Sequence, residues 1–245
     1  FFFSPSLFKT GHLALVLNFF CGLRRLNISF PRHMVFTTST KLQQLLKDFG
    51  ISSFYHTSLG EFHEDAAQEY GDSRFGMMMF MKQYSVQLAL ETGYDVLFQD
   101  VDVTWLSDPI PDLRKRSQQY HVLFQNDGSC SKRFAPYCAN SGFFYMANDL
   151  NVKKYWDHVT MSIPAHVSGN QEMVNQIMEL HVRRNYFTVN ILPELIYVSG
   201  KHLPLPSKSA PTPVAPETAK ILHFSWTRNI TYKLEKLHAF KQLFV

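Results

Sequence analysis

Residues 94–109 read YDVLFQDVDVTWLSDP. An apolar run, Val96-Leu97-Phe98, drives into two carboxylates, Asp100 and Asp102, one residue apart. Apolar residues without alternation are the pattern of a strand covered on both faces. Residues two apart in an extended strand point to the same side, so a strand that persists to Asp102 brings both carboxylates to one place. Like charges that close repel, and burying them is costly unless a cation or hydrogen-bond donors compensate. Two carboxylates facing one point make a hard, oxygen-rich site that suits Mg²⁺ or Mn²⁺.

Working outward, the stretch is preceded by an almost wholly apolar helix over 75–92, capped by Gly93, in which Lys82 stands out as a buried charge in need of a partner. Further upstream, 1–3 end a first strand, and Thr10 can cap a helix to about Leu26 with Leu13, Leu17, Phe20 and Leu23 on one stripe. A strand over 33–37 follows, then a helix over 41–49 capped by Thr38 or Ser39 and stopped at Gly50, a strand over 51–55 and a polar loop over 57–74. Downstream come a helical turn at 111–118, strands at 120–125 and 143–146, helices at 151–161 and 169–180, a strand at 186–192, a proline-rich loop over 203–216, a strand at 220–224 and a closing helix at 232–243. Asn140-Ser141-Gly142 reads as a turn before the 143–146 strand. The helix–Gly–strand alternation argues an α/β sheet with its ligand crevice at strand carboxyl ends.

The 245 residues suffice for a full hydrophobic core, and 45% apolar with 18% charged content is an ordinary globular profile. The net charge of +4 includes no long basic run, which excludes a nucleic-acid footprint; a mild positive balance suits a small anionic substrate. Cys130 and Cys138 lie in a loop-like segment, open between free thiols and a loop disulfide that needs an oxidising compartment. Two glycosylation triplets, at Asn27 and Asn229, point toward the same compartment. The longest apolar run, 12–23, is too short to span a membrane. Residue 1 falls inside an apolar run without an initiator Met, so the chain reads as a fragment or trimmed domain, and any targeting segment would lie upstream of it.

The stretch GYDVLFQDVDVTWLSDP resembles the metal-site segment of the nucleotide-diphospho-sugar transferases, the group that contains the plant rhamnogalacturonan xylosyltransferases of glycosyltransferase family 77. Companion pieces follow in order: Lys82 in the preceding helix, NSGFFYM at 140–146, NQEMVN at 170–175, LPELIYVSG at 192–200, HFSW at 223–226 and Lys233. Together they extend over roughly 12–240. The resemblance implies a GT-A fold, a Rossmann-like α/β architecture with a mixed, mostly parallel sheet flanked by helices, as one catalytic domain over 1–245. It implies that Asp102 is the main metal ligand, that Asp100 binds metal or the nucleotide ribose, and that His223 adds a further ligand. Lys233, and Lys82 if it does not merely snorkel, would neutralise the diphosphate, while Asn140, Ser141 and Gly142 would lie beside the donor sugar. Gln171 would stabilise the positive sugar face, and Glu172 is the neighbouring carboxylate. Two positions depart from the family: Asn170 stands where an Asp is usual, and Thr37-Thr38-Ser39 where an Asp follows the second strand, so Thr37 would contact the nucleotide through its hydroxyl.

The resemblance thus implies a Mn²⁺- or Mg²⁺-dependent, retaining transfer from a nucleotide-diphosphate sugar, expected to be a UDP-sugar, to a glycan or glycoprotein hydroxyl. Such an enzyme would work in the Golgi or another secretory lumen, anchored as a type II membrane protein through a segment outside this chain. A non-catalytic binding relative is the competing reading. A metal-dependent phosphatase is a third, disfavoured because DVDVTW offers no carboxylate or histidine beyond the pair.

Overall fold

The structure, a computed structural model, describes residues 2–3, 12–29, 32–56, 73–132, 134–162, 170–203, 213–227 and 230–245, without the side chains of 2–3, 73–78 and 170. Thr10, Asn229, most of the 57–74 loop, residues 204–212 of the proline-rich run and the side chain of Asn170 therefore lie outside the described residues.

Seven helices and ten strands are described, in the order β1 (Phe2–Phe3), α1 (Leu13–Arg25), β2 (Val35–Phe36), α2 (Thr40–Asp48), β3 (Ser53–Phe54), α3 (Ser73–Glu91), β4 (Val96–Gln99) and β5 (Val103–Trp105). The second half adds α4 (Ile110–Ser117), β6 (Val122–Asn126), β7 (Ala139–Met146), α5 (Leu150–Ser162), α6 (Asn170–Arg183), β8 (Val189–Leu192), β9 (Tyr197–Val198), β10 (Ile221–His223) and α7 (Ile230–Ala239). Among them, β1-β4-β7-β6-β8 form a five-stranded sheet, β5-β10-β9 a three-stranded one and β2-β3 a pair. The pairings β1/β4, β2/β3, β6/β8 and β9/β10 are parallel, and β4/β7, β6/β7 and β5/β10 antiparallel, a mixed and mostly parallel α/β arrangement.

The apolar run of the opening stretch is buried on both faces. Val96 and Phe98 pack with Phe124, Phe144 and Trp156 under α3, α5 and α6. Leu97, between them, packs on the opposite face with Leu123, Phe143 and Tyr145 against Phe19 and Leu23 of α1. A third cluster, with Leu222, Phe224, Leu237 and Phe240, seats α7 against the three-stranded sheet. Gly50 (φ +71°) and Gly93 (φ +85°) end α2 and α3 in the left-handed region that a side chain would resist. Of the two candidate caps for α2, Ser39 is the one used: its Oγ accepts from Leu42 N–H at 3.3 Å.

Three expectations need correction. β4 stops at Gln99, so Asp100 and Asp102 are brought together by a turn and not by strand periodicity. β5 and β9 were not anticipated, both being too short to show a period. Asn140-Ser141-Gly142 is not a turn but the first part of β7. The register explains the misreading: Phe124 pairs with Phe144, but the next residue, Gln125, pairs with Asn140. The bulge leaves 141–143 out of that ladder, and local signals there look like a turn.

Candidate active site

The turn at Asp100-Val101-Asp102 hands the chain from one sheet to the other. Asp100 N–H donates to Gly142 C=O at 2.7 Å, fastening it to β7 of the five-stranded sheet. Phe224 N–H donates to Asp102 C=O at 2.9 Å, fastening it beside β10 of the three-stranded sheet. Trp105 Nε1 donates to Gln99 Oε1 at 2.8 Å, tying the strand that enters the turn to the strand that leaves it. His223 ends β10, opposite Val103. Ligand atoms of Asp100, Asp102 and His223 all lie within 4.8 Å of one another.

The lysines complete the cluster. Lys82 Nζ donates to both oxygens of Asp100, at 2.8 and 3.1 Å, and lies 4.8 Å from the Phe98 ring centroid. Lys82 therefore has an ionic partner and does not snorkel. Lys233, on the first turn of α7, brings its Nζ to 2.7 Å from Asp102 Oδ2. Lys233 donates to that oxygen, and His223 faces the other. Burial pushes the Asp102 carboxyl up, but Lys233 and then His223 outweigh it and hold the group well below the usual carboxylate range. Burial acts on Lys233 in the opposite sense and is likewise overcome, by Asp102 first, so its ammonium is held above its ordinary value.

The orientation of His223 follows from its neighbours. Gln125 Nε2 donates to Tyr197 C=O at 3.2 Å, which leaves Gln125 Oε1 to accept from His223 Nδ1 at 2.7 Å. This network puts a proton on Nδ1 and turns Nε2 toward Asp102 Oδ1, 3.5 Å away. A cation between these two atoms, proton or metal, satisfies both.

A divalent metal fits these residues. The donor set is two carboxylates and an imidazole nitrogen. Two of its atoms, Asp102 Oδ1 and His223 Nε2, face each other at 3.5 Å. The room is kept by a glycine: a Cβ on Gly142 would lie 2.6 Å from Asp100 Oδ2 and also strike His223.

Beside this cluster lies a second, polar one. Asn140 Nδ2 donates to Asp127 Oδ1 at 2.7 Å, and Asn140 Oδ1 accepts from Gly142 N–H at 2.7 Å. Gln171 Oε1 accepts from Ser141 N–H at 3.3 Å, and the same side chain bonds Asp127. One helical turn on, Asn175 clamps the start of β7, accepting from Ala139 N–H and donating to Ala139 C=O, both at 2.9 Å. Burial raises the Asp127 carboxyl above its ordinary value, and the bonds from Asn140 and Gln171 only partly offset that. Asp127 C=O also accepts from Trp226 Nε1 at 3.1 Å. Asp127, Asn175 and Gln125 are the functional-site neighbours the sequence reading missed. Asp127 follows directly on β6, a single carboxylate at a strand end without the partner that singled out Asp100.

The structure thus gathers Asp100, Asp102, His223, Lys82, Lys233 and Gly142 at one cluster, and Asn140, Ser141 and Gln171 beside it. Two candidates have other engagements. Glu172 accepts from Gln176 along its own helix at 3.0 Å. Thr37 is buried at the end of β2, its hydroxyl within 3.3 Å of Ser39 C=O and 3.4 Å of Phe54 C=O.

Several solved glycosyltransferases share this architecture. The chain superposes on the WbbM bifunctional glycosyltransferase with a TM-score of 0.56, at 12% identity over 98% of this chain and 51% of that one. The galactosyltransferase LgtC, solved with donor and acceptor sugar analogues, gives a TM-score of 0.52 at 11% identity over 99% and 94%. Mouse xyloside xylosyltransferase 1 gives 0.51 at 10% identity over 92% and 97%. These likenesses define the class of fold. The chain belongs to the nucleotide-diphospho-sugar transferase family, whose model matches residues 29–237. It is also 25% identical over 141 residues to the beta-arabinofuranosyltransferase RAY1 of Arabidopsis thaliana, an alignment over 55% of this chain. The chain spans about a quarter (25%) of the length of that relative.

Proposed function

We propose that this chain is a catalytic domain that moves a sugar from a nucleotide diphosphate to a hydroxyl of a glycan or glycoprotein, using Mn²⁺ or Mg²⁺ held by Asp100, Asp102 and His223. The convergence of those three ligands within 4.8 Å at the junction of two sheets is the observation that carries the reading. A bound cation would supply Lewis-acid stabilisation to the departing diphosphate. Lys233 and Lys82 would add positive charge on the same side, preorganised by their aspartates. Ser141 and Gly142, in the bulge beside Asp100, would present backbone to the donor sugar, with Asn140 and Gln171 fixing that backbone. A retaining reaction needs either a carboxylate nucleophile or attack on the same face as the leaving group. Glu172 faces Gln176, which favours the second route, with the Gln171 amide oxygen stabilising the positive sugar.

The donor nucleoside is uridine in this reading, and the sugar a pentose or galactose; the Arabidopsis relative, named for arabinofuranosyl transfer, favours a pentose. A secretory-lumen location is supported by the bond joining Cys130 to Cys138 and by the exposed triplet at Asn27. No helix among the described residues is long and apolar enough to cross a membrane.

The test is hydrolysis of a panel of nucleotide-diphosphate sugars with and without Mn²⁺. Turnover should require the metal and fall by about a thousandfold in Asp102→Asn. Mn²⁺-dependent nucleotide binding with no turnover of any donor would select the non-catalytic reading instead.

A further inference from the structure

Four formal charges meet at the Asp100–Asp102 turn, two negative carboxylates and two ammonium groups from Lys82 and Lys233, and they sum to zero. A divalent cation added alone raises that sum to two, beside two cations already present. A sugar-nucleotide diphosphate, with two negative charges, restores it. Charges at such separations in a partly buried site interact strongly, so the two ligands are linked through the residues that sit between them.

The two lysines are not equally able to move. Lys82 is buried to 7% side-chain exposure, bonded to both oxygens of Asp100 and laid over the Phe98 ring. Lys233 is 24% exposed, contacts one oxygen of Asp102 at 2.7 Å, and projects from the first turn of α7. That helix is held further along by Leu237 and Phe240 in the third core cluster, so Lys233 can swing without unpacking it. Asp102 cannot follow, because its side chain is buried to 2% and its backbone is bonded to Phe224.

We propose that Lys233 makes metal and diphosphate bind together and not singly: its ammonium competes with the cation for Asp102 Oδ2 and yields that oxygen when a diphosphate is present to receive it. This rests on the nucleotide-sugar reading above and adds a linkage to it. Metal alone binds weakly, diphosphate alone binds weakly, and each raises the affinity for the other by the same factor.

The experiment is calorimetric titration of Mn²⁺ alone, with no nucleotide, into the wild-type chain, Lys233→Met, Lys233→Arg and Lys82→Met. Removing the competing charge should tighten Mn²⁺ by at least about tenfold in Lys233→Met. Lys233→Arg keeps the charge and should stay within about threefold of wild type, and Lys82→Met should tighten Mn²⁺ less than Lys233→Met. Equal or weaker Mn²⁺ binding by Lys233→Met overturns the proposal. If that variant does not fold, the wild-type chain still decides: saturating UDP should tighten Mn²⁺ at least about tenfold, and Mn²⁺ should tighten UDP by the same factor. A coupling below about threefold overturns the linkage. A wild-type chain that binds no nucleotide diphosphate even with Mn²⁺ overturns the nucleotide-sugar reading, whereas the Mn²⁺-alone comparison tests Lys233 whatever that result.

Discussion

Asp100 leaves the five-stranded sheet and Asp102 enters the three-stranded one, and the two carboxylates are compensated in opposite ways. Asp100 is 35% exposed at its side chain, accepts two well-formed bonds from Lys82, and is fastened to β7 through its backbone. Asp102 is 2% exposed and is held by two neighbours, an ammonium 2.7 Å from one oxygen and an imidazole 3.5 Å from the other. The first is an ordinary satisfied ion pair near water. The second is a fully buried charge that depends on its two neighbours, a costly arrangement that suits a ligand arriving later. One residue of chain separates a carboxylate near water from one sealed off from it.

The largest predicted effect breaks that comparison through the two lysines. Lys233→Met strands the buried Asp102 charge and should lower unfolding free energy by about 3–5 kcal/mol, as for other broken buried pairs. Lys82→Met exposes no such charge, because Asp100 reaches water, and should cost about 1 kcal/mol or less. Urea unfolding of both variants checks it, and equal losses would erase the distinction drawn between the two aspartates. The same pair sets a pH window. Asp102 has a depressed folded-state pKa, so its stabilisation is present above its unfolded value near ~4 and is lost as pH falls through the folded one. Lys233 is raised, so its share is present below about 10.4 and lost as pH rises through its folded value. The stability gap between wild type and Lys233→Met should therefore stand on a plateau across neutral pH and close below about pH 4.

The two halves also differ in how much of them could be read in advance. The apolar run at 96–98 announced a doubly covered strand, and Val96, Leu97 and Phe98 do face alternate cores. Lys82 announced its need for a partner by being charged within an apolar helix, and Asp100 meets it. In the Asp102 half, β10 was read as the strand at 220–224, but the roles of His223 and Lys233 came only through the family resemblance. β5 and β9 have three and two residues, too few to show a period. The bulge in β7 was hidden for a related reason: a register shift is a property of two strands, and Asn140-Ser141-Gly142 alone carries only the composition of a turn. Asp127 was hidden because one carboxylate without a companion gives no pattern, although it bonds Asn140 and neighbours Gln171.

A smaller effect is expected where the two halves touch. Gly142 belongs to the five-stranded sheet, yet its missing side chain leaves room for Asp100 and His223 together. Gly142→Ala should push those two ligands apart and weaken Mn²⁺ by about 10–100-fold in the presence of UDP, the range for displaced ligand support. Its unfolding midpoint should move little, since β7 remains paired on both edges. A variant with wild-type Mn²⁺ affinity would mean that the ligands have slack, and that the junction is less exact than the contacts imply.

The smallest effect sharpens the account of His223. Gln125, from β6 of the five-stranded sheet, orients a histidine carried by the three-stranded sheet, so the Asp102 half borrows its ring orientation from the other half. Gln125→Leu removes the acceptor for Nδ1 and frees the ring to place its proton on Nε2, against Asp102; Mn²⁺ affinity should fall about tenfold. Gln125→Glu keeps an acceptor for Nδ1 and makes the imidazole a better donor to metal, so affinity should hold or rise. The two variants must move in different directions if the tautomer is set as the bonds to Tyr197 and His223 imply. Equal losses in both would mean that packing at position 125, and not the hydrogen bond, holds the ring, and that the orientation of Nε2 toward Asp102 is not dictated by β6.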